Sequence, residues 1–331
     1  MGVYHLMGLG RSPGTVIGPL TYLAHRYNRW NADDQRFFAR SGEVRQRQAG
    51  QKVGDVQALV LFTTPEVLSG EVRAFGYVDN PPGRIATAPQ MPTEPTKPMK
   101  QVLRTLLRRE WPAISGGREQ GTIFWCEVDR RNIRVTYERV VRVVAALAGV
   151  GGQGKEMWVN LTGGNNVINF ALELAATLSG DVARLYYVQA ENEAAEKCVR
   201  FTAEDGYWVD LPVMPLALGR VFRAILDLLE QGKPLSTRDL YSQLSSHETY
   251  WNLVQDISRE VFQEIYLTPM WKQGLIAEDK DGYIVGPQWG LIRPYQEILQ
   301  EARKANLTIE TLADQEPWLE KKGLRWADDC R

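Results

Sequence analysis

The chain has 331 residues, 44% of them hydrophobic, with 39 Lys and Arg against 40 Asp and Glu. This length predicts two domains, and the ten Trp residues with nearly balanced charge exclude a disordered or nucleic-acid-coating polymer. The balance hides an asymmetry, because residues 1–150 hold 21 basic against 13 acidic side chains, a net charge of +8, whereas residues 151–331 carry −9. The two halves therefore have different electrostatic roles, or they face each other.

Composition also bears on the compartment. No apolar stretch approaches the roughly 18 residues that a membrane span needs, and the first ten residues show no secretory signal. The three cysteines, Cys126, Cys198 and Cys330, are far apart and have no zinc-binding spacing with histidine. We therefore expect a cytoplasmic protein that has no membrane contact, no disulfide framework, and neither a metal nor a cofactor.

The first 190 residues alternate short apolar runs with amphipathic segments. The apolar runs predict strands over 3–9, 56–63, 122–128, 157–161 and 183–188. The segments between them predict helices over 15–30, 97–109, 134–147 and 166–178. Pro65 suits a first helical turn, and six prolines between Pro81 and Pro98 predict a loop. Strands that alternate with helices predict a parallel sheet covered on both faces, which is a Rossmann-like α/β domain.

The pattern changes after residue 190. Residues 198–202 and 207–211 flank a turn that ends in glycine, which predicts a hairpin. Three helices and a second hairpin follow, over 216–229, 236–244, 249–272 and 275–285. This order is typical of a winged helix-turn-helix. We therefore predict three parts, namely a Rossmann-like domain, a winged helix-turn-helix domain, and a C-terminal helix with a tail, over 1–212, 213–295 and 296–331.

Two polar glycine turns each follow a predicted strand: Gly8-Leu-Gly-Arg-Ser-Pro-Gly14 and Asn160-Leu-Thr-Gly-Gly-Asn-Asn166. Open parallel sheets bind ligands at such turns, where backbone N–H groups and the dipole of the next helix favour an anion. The first turn departs from the dinucleotide fingerprint, because its third glycine falls one position late and Pro13 takes its place. A nucleotide-cofactor enzyme stays an alternative, and so does a purely structural role for both turns.

Gly10-Arg-Ser-Pro-Gly14 and Asn160-Leu-Thr-Gly-Gly164 resemble the two ligand-binding motifs of CARF domains, the Rossmann-like sensors of type III CRISPR systems. The resemblance covers roughly residues 1–212, and a winged helix is a frequent companion in that family. It implies a homodimer that binds cyclic tetra- or hexa-adenylate across its two-fold axis. The ligand-binding residues that it implies are Gly10, Ser12, Pro13, Gly14, Thr162, Gly163, Gly164, Asn165 and Asn166.

Stand-alone members of that family include ring nucleases, which cleave the cyclic messenger without a metal and switch antiviral signalling off. In such cleavage the ribose 2′-OH attacks the adjacent phosphate, and the protein holds the two in line and stabilises charge. We expect Ser12 and Asn166 to position these groups and Arg11 to stabilise the charge. Members that cleave often carry lysine at the place of Asn166, so Arg11 or Lys155 would have to replace that charge.

Other outputs are less favoured. A ligand-responsive transcription regulator remains an alternative, but residues 216–295 hold eight basic against ten acidic side chains, and phosphate contacts dominate DNA affinity. We therefore expect that segment to be a dimerisation or packing module. The Arg–His pair of RNase effectors has no match, and Glu320-Lys-Lys322 after Asp314 has the letters of a restriction-type nuclease within a polar tail.

Overall fold

The computed structural model describes residues 2–39, 56–74, 77, 97–149, 155–190, 198–202, 206–212, 220–248 and 250–325. Two compact units make up the chain. The first, the α/β unit, consists of Met1–Met214 with Glu301–Arg331, and the second, the helical unit, is Pro215–Gln300. The predicted boundaries lay after residues 212 and 295, so the structure differs in joining residues 301–331 to the first unit.

The described residues form strands and helices in the following order along the chain. The strands are β1 (Val3–Gly8), β2 (Val56–Thr63), β3 (Gln120–Glu127), β4 (Glu156–Asn160), β5 (Arg184–Ala190), β6 (Gly206–Leu211), β7 (Ile276–Asp279), β8 (Gly282–Val285) and β9 (Leu319–Arg325). The helices are α1 (Gly14–Arg29), α2 (Ala32–Ala39), α3 (Pro65–Leu68), α4 (Met99–Ile114), α5 (Ile133–Ala148), α6 (Asn166–Ser179), α7 (Arg220–Leu229), α8 (Thr237–Ser246), α9 (Trp251–Val254), α10 (Arg259–Phe262), α11 (Thr268–Lys272), α12 (Pro287–Ala305) and α13 (Ile309–Gln315).

The α/β unit is built on a seven-stranded sheet in the order β6-β5-β4-β1-β2-β3-β9. The inner five strands are parallel, and β6 and β9 run antiparallel at the two edges. All five strands predicted for the first 190 residues are present, and the prediction of a mostly parallel α/β sheet is confirmed. The chain leaves β1 towards β2 on one side and returns to β4 on the other, so the strand order reverses at β1.

Helices cover both faces of this sheet. All six residues of β1 are buried, and since successive side chains point to opposite faces, neither face is open to solvent. On one face α1 packs against α4, and Leu20, Leu103 and Trp111 share a core cluster with Met7 and Leu59 of the strands. The helices α5 and α6 pack against each other and against β4, so they cover the other face.

The predicted hairpin over 198–211 is wrong. The strand β6 pairs with β5, from Leu185 opposite Leu211 to Ala190 opposite Gly206. Residues 198–202 run instead along α1, where the Phe201 N–H donates to the Thr21 hydroxyl at 2.9 Å. The turn residues suited a hairpin locally, but the open edge of β5 offered β6 a full set of backbone partners.

The C-terminal residues are not a polar tail. The strand β9 pairs antiparallel with β3 along seven residues, from Gln120 opposite Arg325 to Cys126 opposite Leu319. The polar sequence around Glu320 and Lys322 predicts a tail, but both residues lie on a strand. A polar strand fits an edge position, because one side of its backbone faces solvent and charged side chains there discourage pairing with other chains.

In the described part of the helical unit, the helices α7 to α11 precede the antiparallel pair β7 and β8. The predicted helix over 236–244 is present as α8, and Ser236 and Asp239 form a capping box at its start. The predicted continuous helix over 249–272 is wrong, since α9 ends at Val254 and Ser258 caps a new helix, α10. That helix continues through a π-helical turn, Gln263–Leu267, into α11. The assignment of this unit as a winged helix stays a prediction.

Two further predictions concern the proline-rich loop and membrane-spanning helices. Of the proline-rich loop predicted over 81–98, all but Lys97 and Pro98 lies outside the described residues. Within the described ranges, no helix combines the length and the apolar character needed to cross a bilayer.

Candidate functional site

The two glycine turns meet at the carboxyl ends of neighbouring strands. The strands β1 and β4 are parallel and adjacent, with Met7 opposite Asn160, and each leads through a turn into a helix, α1 or α6. The strand order reverses between these two strands, which is where open α/β sheets bind ligands. The sheet therefore brings together the two motifs that the sequence separates by about 150 residues.

Several glycines of these turns are needed because the turns touch each other. A Cβ on Gly163 would lie 2.4 Å from the Thr15 hydroxyl and 2.6 Å from the Gly8 carbonyl, and a Cβ on Gly8 would lie 2.5 Å from the Gly163 carbonyl. Gly164 has φ +90°, a conformation that favours glycine. A Cβ on Gly10, in contrast, would meet nothing within 4 Å. Close packing thus accounts for Gly8 and Gly163, whereas Gly10 borders open space.

Buried hydrogen bonds hold the second turn in place. The side chain of Asn160 is fully buried, accepts from the Thr162 N–H at 2.7 Å and donates to the Thr15 carbonyl at 3.3 Å. The Val188 N–H donates to the Thr162 hydroxyl at 2.8 Å. That hydroxyl is thus fixed as an acceptor on one side, and its own proton stays available for another acceptor.

A cavity of about 370 Å³ opens above the two turns. Residues of both turns, the end of β5 and the segment after it form its walls: Ser12, Gly14, Thr15, Leu161, Thr162, Tyr187, Val188, Gln189 and Phe201. We call it the turn pocket. Its lining combines hydroxyl groups with an aromatic and apolar wall, and its volume lies at the small end of the range for ligand sites.

The turn pocket holds only some of the predicted site residues. Ser12, Gly14 and Thr162 line it, and Arg11 and Asn166 are exposed and do not. Pro13 is buried at the start of α1, and the Asn165 side chain accepts from the Ile168 N–H at 2.9 Å and so caps α6. The predicted residues therefore lie on two turns that touch each other, but their side chains differ in the hydrogen bonds that they already make.

Lys155, one of the two residues expected to replace the missing lysine charge, lies at the opposite end of β4 from the second turn. Lys155 directly precedes β4, whereas the second turn follows that strand. Five strand residues, at about 3.3 Å each, separate the two. Lys155 therefore cannot neutralise a phosphate held by Thr162, and Arg11 alone of the two residues lies on the correct edge.

Sequence reasoning missed several residues that line the turn pocket, among them Gln189 and Phe201. Gln189 is exposed near the end of β5, which pairs with β4, and Phe201 follows in the segment that packs on α1. Nothing in the local sequence marks either residue, because their proximity to Ser12 depends on the sheet order. The position of Gln189 near a strand's carboxyl end was the available signal.

His5 lies in β1, in the same strand that supports the first turn. Its ring is fully buried, and its Nδ1 is 2.9 Å from the Tyr186 hydroxyl. Burial, with a smaller repulsion from Arg184, lowers the pKa of His5 to about 3. The ring is therefore neutral at physiological pH and acts as a core residue rather than a base.

The strand position of Glu320 does not create a nuclease-like cluster. Its carboxylate forms ion pairs with Lys100 at 2.7 Å and Lys322 at 2.9 Å, while Asp314 lies exposed on α13. In the part of the chain that the structure describes, no three His, Cys, Asp or Glu side chains group together as metal ligands would. The ion pairs give Glu320 and Lys322 a structural role on the edge strand β9.

Comparisons with known proteins give distant similarities. No protein-family model matches the chain. A curated protein of Archaeoglobus fulgidus, described as an uncharacterized protein, is 25% identical over 244 residues, which cover 69% of this chain and 73% of that protein. Among solved structures, Enterococcus italicus Csm6 bound to cyclic hexa-2′-fluoro-hexa-dAMP matches with a TM-score of 0.37 and 12% identity, over 95% of this chain and 65% of that chain. At that TM-score the similarity does not establish a shared fold.

Proposed function

We propose that this protein is a CARF-domain sensor that binds a cyclic oligoadenylate between two copies of the chain and cleaves it. The observation that carries the proposal is the turn pocket, which both glycine turns line through Ser12 and Thr162. Its volume of about 370 Å³ is small beside a cyclic tetra- or hexa-adenylate. A ring of that size therefore requires the pockets of two protomers, as a homodimer with a two-fold axis supplies.

The chemistry of the site suits a phosphodiester ring. The Thr162 hydroxyl has a proton to donate, and α1 follows Pro13 at its N-cap position with no side chain capping its first amides. Such groups stabilise phosphate oxygens at a helix N-terminus. Arg11 is exposed beside Ser12 and lies within the half of the chain that carries a net charge of +8, which attracts a polyanion.

For cleavage we propose the route in which a ribose 2′-oxygen attacks the adjacent phosphorus and the 5′-oxygen leaves, which yields a 2′,3′-cyclic phosphate end. Ser12 is the strongest candidate for positioning the reacting groups, because it lines the turn pocket. Arg11 would stabilise charge on the phosphoryl oxygens. Asn166 begins α6 and can donate a hydrogen bond, but it supplies no charge.

The helical unit is proposed to be a winged helix that packs or dimerises rather than reads DNA. The segment after Ser258, which would be its recognition helix, exposes the acidic side chains of Glu260 and Glu264 together with the apolar Val261 and Ile265. Acidic groups repel the phosphates that dominate DNA affinity, so a DNA-binding regulator is the less favoured alternative.

The test is incubation of the purified protein with cyclic tetra- and hexa-adenylate in EDTA, with separate measurements of retention and of linear products. We expect binding of one ring and slow conversion to linear products. Ser12→Ala should reduce the single-turnover rate by about 100-fold while the fold is kept, because small displacements of reacting groups have effects of that size. Ser242→Ala, an exposed serine of α8, is the matched control and should leave both quantities unchanged.

Binding without product by the wild-type protein would leave a sensor without nuclease activity. Retention of neither ring would overturn the whole proposal. Linear products whose formation is as fast in Ser12→Ala as in the wild type would remove Ser12 from the reaction and leave the rest of the proposal intact.

A further inference from the structure

A second cavity, of about 510 Å³, lies on the α/β unit along the outer side of α4. Lys100, Arg104 and Arg108 line it from α4, with Thr105 beside them, and Ser69 and Gly70 line it from the turn after α3. Among the residues that the structure describes, none lines both this cavity and the turn pocket. We call it the α4 groove.

The three basic residues of the groove are four apart in sequence and therefore lie along one face of the helix, about 6 Å from one to the next. Like charges at this spacing repel each other and destabilise a helix slightly. Lys100 is compensated by Glu320, and a bound anion would relieve the repulsion that remains in the row.

Several partly buried arginines of the α/β unit pair with carboxylates. Asp34 pairs with Arg26 and Arg29, each at 2.8 Å, and Asp210 pairs with Arg184 at 2.5 Å. Arg104 forms no ion pair with any residue that the structure describes, although its side chain is half-buried in the groove wall. A guanidinium held partly out of water without a counter-charge indicates a place for an external anion.

Two carboxylates contact lining residues of the groove and reduce its charge. Glu320 pairs with Lys100 at 2.7 Å, and Glu71 is 3.2 Å from the Ser69 hydroxyl. Neither carboxylate forms a hydrogen bond or an ion pair with Arg104 or Thr105 in the part of the chain that the structure describes. An anion would therefore be centred on Arg104, with its neighbours on the same helix face supplying further positive charge.

We propose that the α4 groove binds a ligand with at least two consecutive phosphates, such as a nucleoside polyphosphate or a single nucleic-acid strand. A row of cations about 6 Å apart suits consecutive phosphates better than one, and the guanidinium fork of Arg104 binds a phosphate with two parallel hydrogen bonds. The hydroxyls of Ser69 and Thr105 and the amide of Gln101 add neutral donors around this charge. This site is independent of the ring-binding function proposed above.

The test uses the full chain with three probes: inorganic tripolyphosphate, ATP, and a short fluorescein-labelled single-stranded DNA, each at low and at physiological salt. We expect at least one probe to bind and Arg104→Gln to weaken it by about tenfold, since a hydrogen bond between charged groups is lost. Gln101→Glu, an exposed change in the groove wall, should also weaken binding. Arg134→Gln removes the same charge from an exposed position on α5 and should have less than a twofold effect.

The three probes distinguish the source of the phosphates. Binding of tripolyphosphate and ATP without DNA assigns a small polyphosphate, and binding of DNA with a salt slope that falls by about one in Arg104→Gln assigns a strand. The proposal is overturned if no probe binds the wild-type protein, or if Arg134→Gln weakens binding as much as Arg104→Gln does. It is also overturned if Ser12→Ala abolishes ATP binding and Arg104→Gln does not, because the ligand would then lie in the turn pocket. Melting temperatures of all variants exclude loss of folding as the cause.

Discussion

Gly163 lies so close to the first turn that a side chain at position 163 would displace that turn. Its Cβ would be 2.6 Å from the Gly8 carbonyl, which belongs to the backbone and cannot rotate away. We expect Gly163→Ala to destabilise the protein by about 2 kcal/mol, the range for overpacked positions, and to lower its melting temperature. Gly10→Ala is the control, because its Cβ would meet nothing within 4 Å and should leave the melting temperature unchanged.

Gly163→Ala and Gly10→Ala also distinguish a glycine needed for packing from a glycine needed for contact with the ligand. If Gly10 borders the bound ring, Gly10→Ala should weaken ring binding while stability is kept. Equal melting temperatures for the Gly163→Ala and wild-type proteins would contradict the contact between the two turns.

His5 makes stability depend on pH. Its pKa of about 3 lies below the ordinary value of 6.5, because burial disfavours the charged ring. Between these values the unfolded chain binds a proton that the folded chain does not, so stability is complete above pH 6.5 and falls as the pH drops. We expect the unfolding free energy to decrease by up to about 2 kcal/mol from pH 6.5 to 5.

His5→Gln should remove most of this slope, which urea unfolding at several pH values would measure. The Asp34 carboxyl also has a lowered pKa, because it accepts hydrogen bonds from Arg29, but its contribution is lost only below about pH 4. The interval from pH 5 to 6.5 therefore reports on histidine. A slope that is the same in His5→Gln and wild-type protein would show that the ring is not buried as described.

At the scale of elements, β9 protects the edge of the parallel sheet. It pairs with β3 along seven residues, and Lys100 binds its Glu320 at 2.7 Å. Deletion of residues 319–331 should lower the melting temperature by several degrees and cause aggregation that increases with concentration, because the edge of β3 becomes open. Light scattering and a thermal melt would measure both effects. Deletion of residues 326–331 alone keeps every β9 pair and is the control, and identical behaviour of the two truncations would contradict this role.

The interruption before α10 is a second property of an element. The Ser258 hydroxyl accepts from the Val261 N–H at 3.3 Å, so Ser258→Ala removes a helix cap and should destabilise the helical unit by about 1 kcal/mol. If residues 249–272 formed one helix instead, alanine would be the better helix former and the change would stabilise it. Ser246→Ala, near the end of α8, is the comparison, and denaturant unfolding gives the sign.

At the scale of the whole molecule, the proposed function predicts a stoichiometry and a salt dependence. One ring should bind two chains, because a single turn pocket of about 370 Å³ is too small for it. The affinity should fall as salt rises, since the ring's phosphates interact with the basic half of the chain. Calorimetry with light scattering would measure both. One ring bound per monomer would contradict the dimeric site.

Local sequence was sufficient wherever short-range physics decides the structure. The apolar runs of the inner strands predicted β1 to β5 because a strand covered on both faces must be apolar throughout. The Ser236 cap and the Asp-Gly turn before β8 were predictable for the same reason, since a cap or a turn is determined by a few neighbouring residues. The charge asymmetry of the two halves likewise needs only counting.

The tertiary structure decided which of these elements meet. The pairing of β6 with β5, the addition of β9 to β3 and the walls that Gln189 and Phe201 give the turn pocket all join residues far apart in the chain. Strands pair through the hydrogen-bonding groups of their backbone edges, which the side-chain sequence does not identify. The hydrophobic periodicity of a strand therefore cannot show which other strand it will pair with. The sequence by itself determined that two polar glycine turns follow buried strands. Only the sheet order, which places β4 beside β1, decided that they form one site.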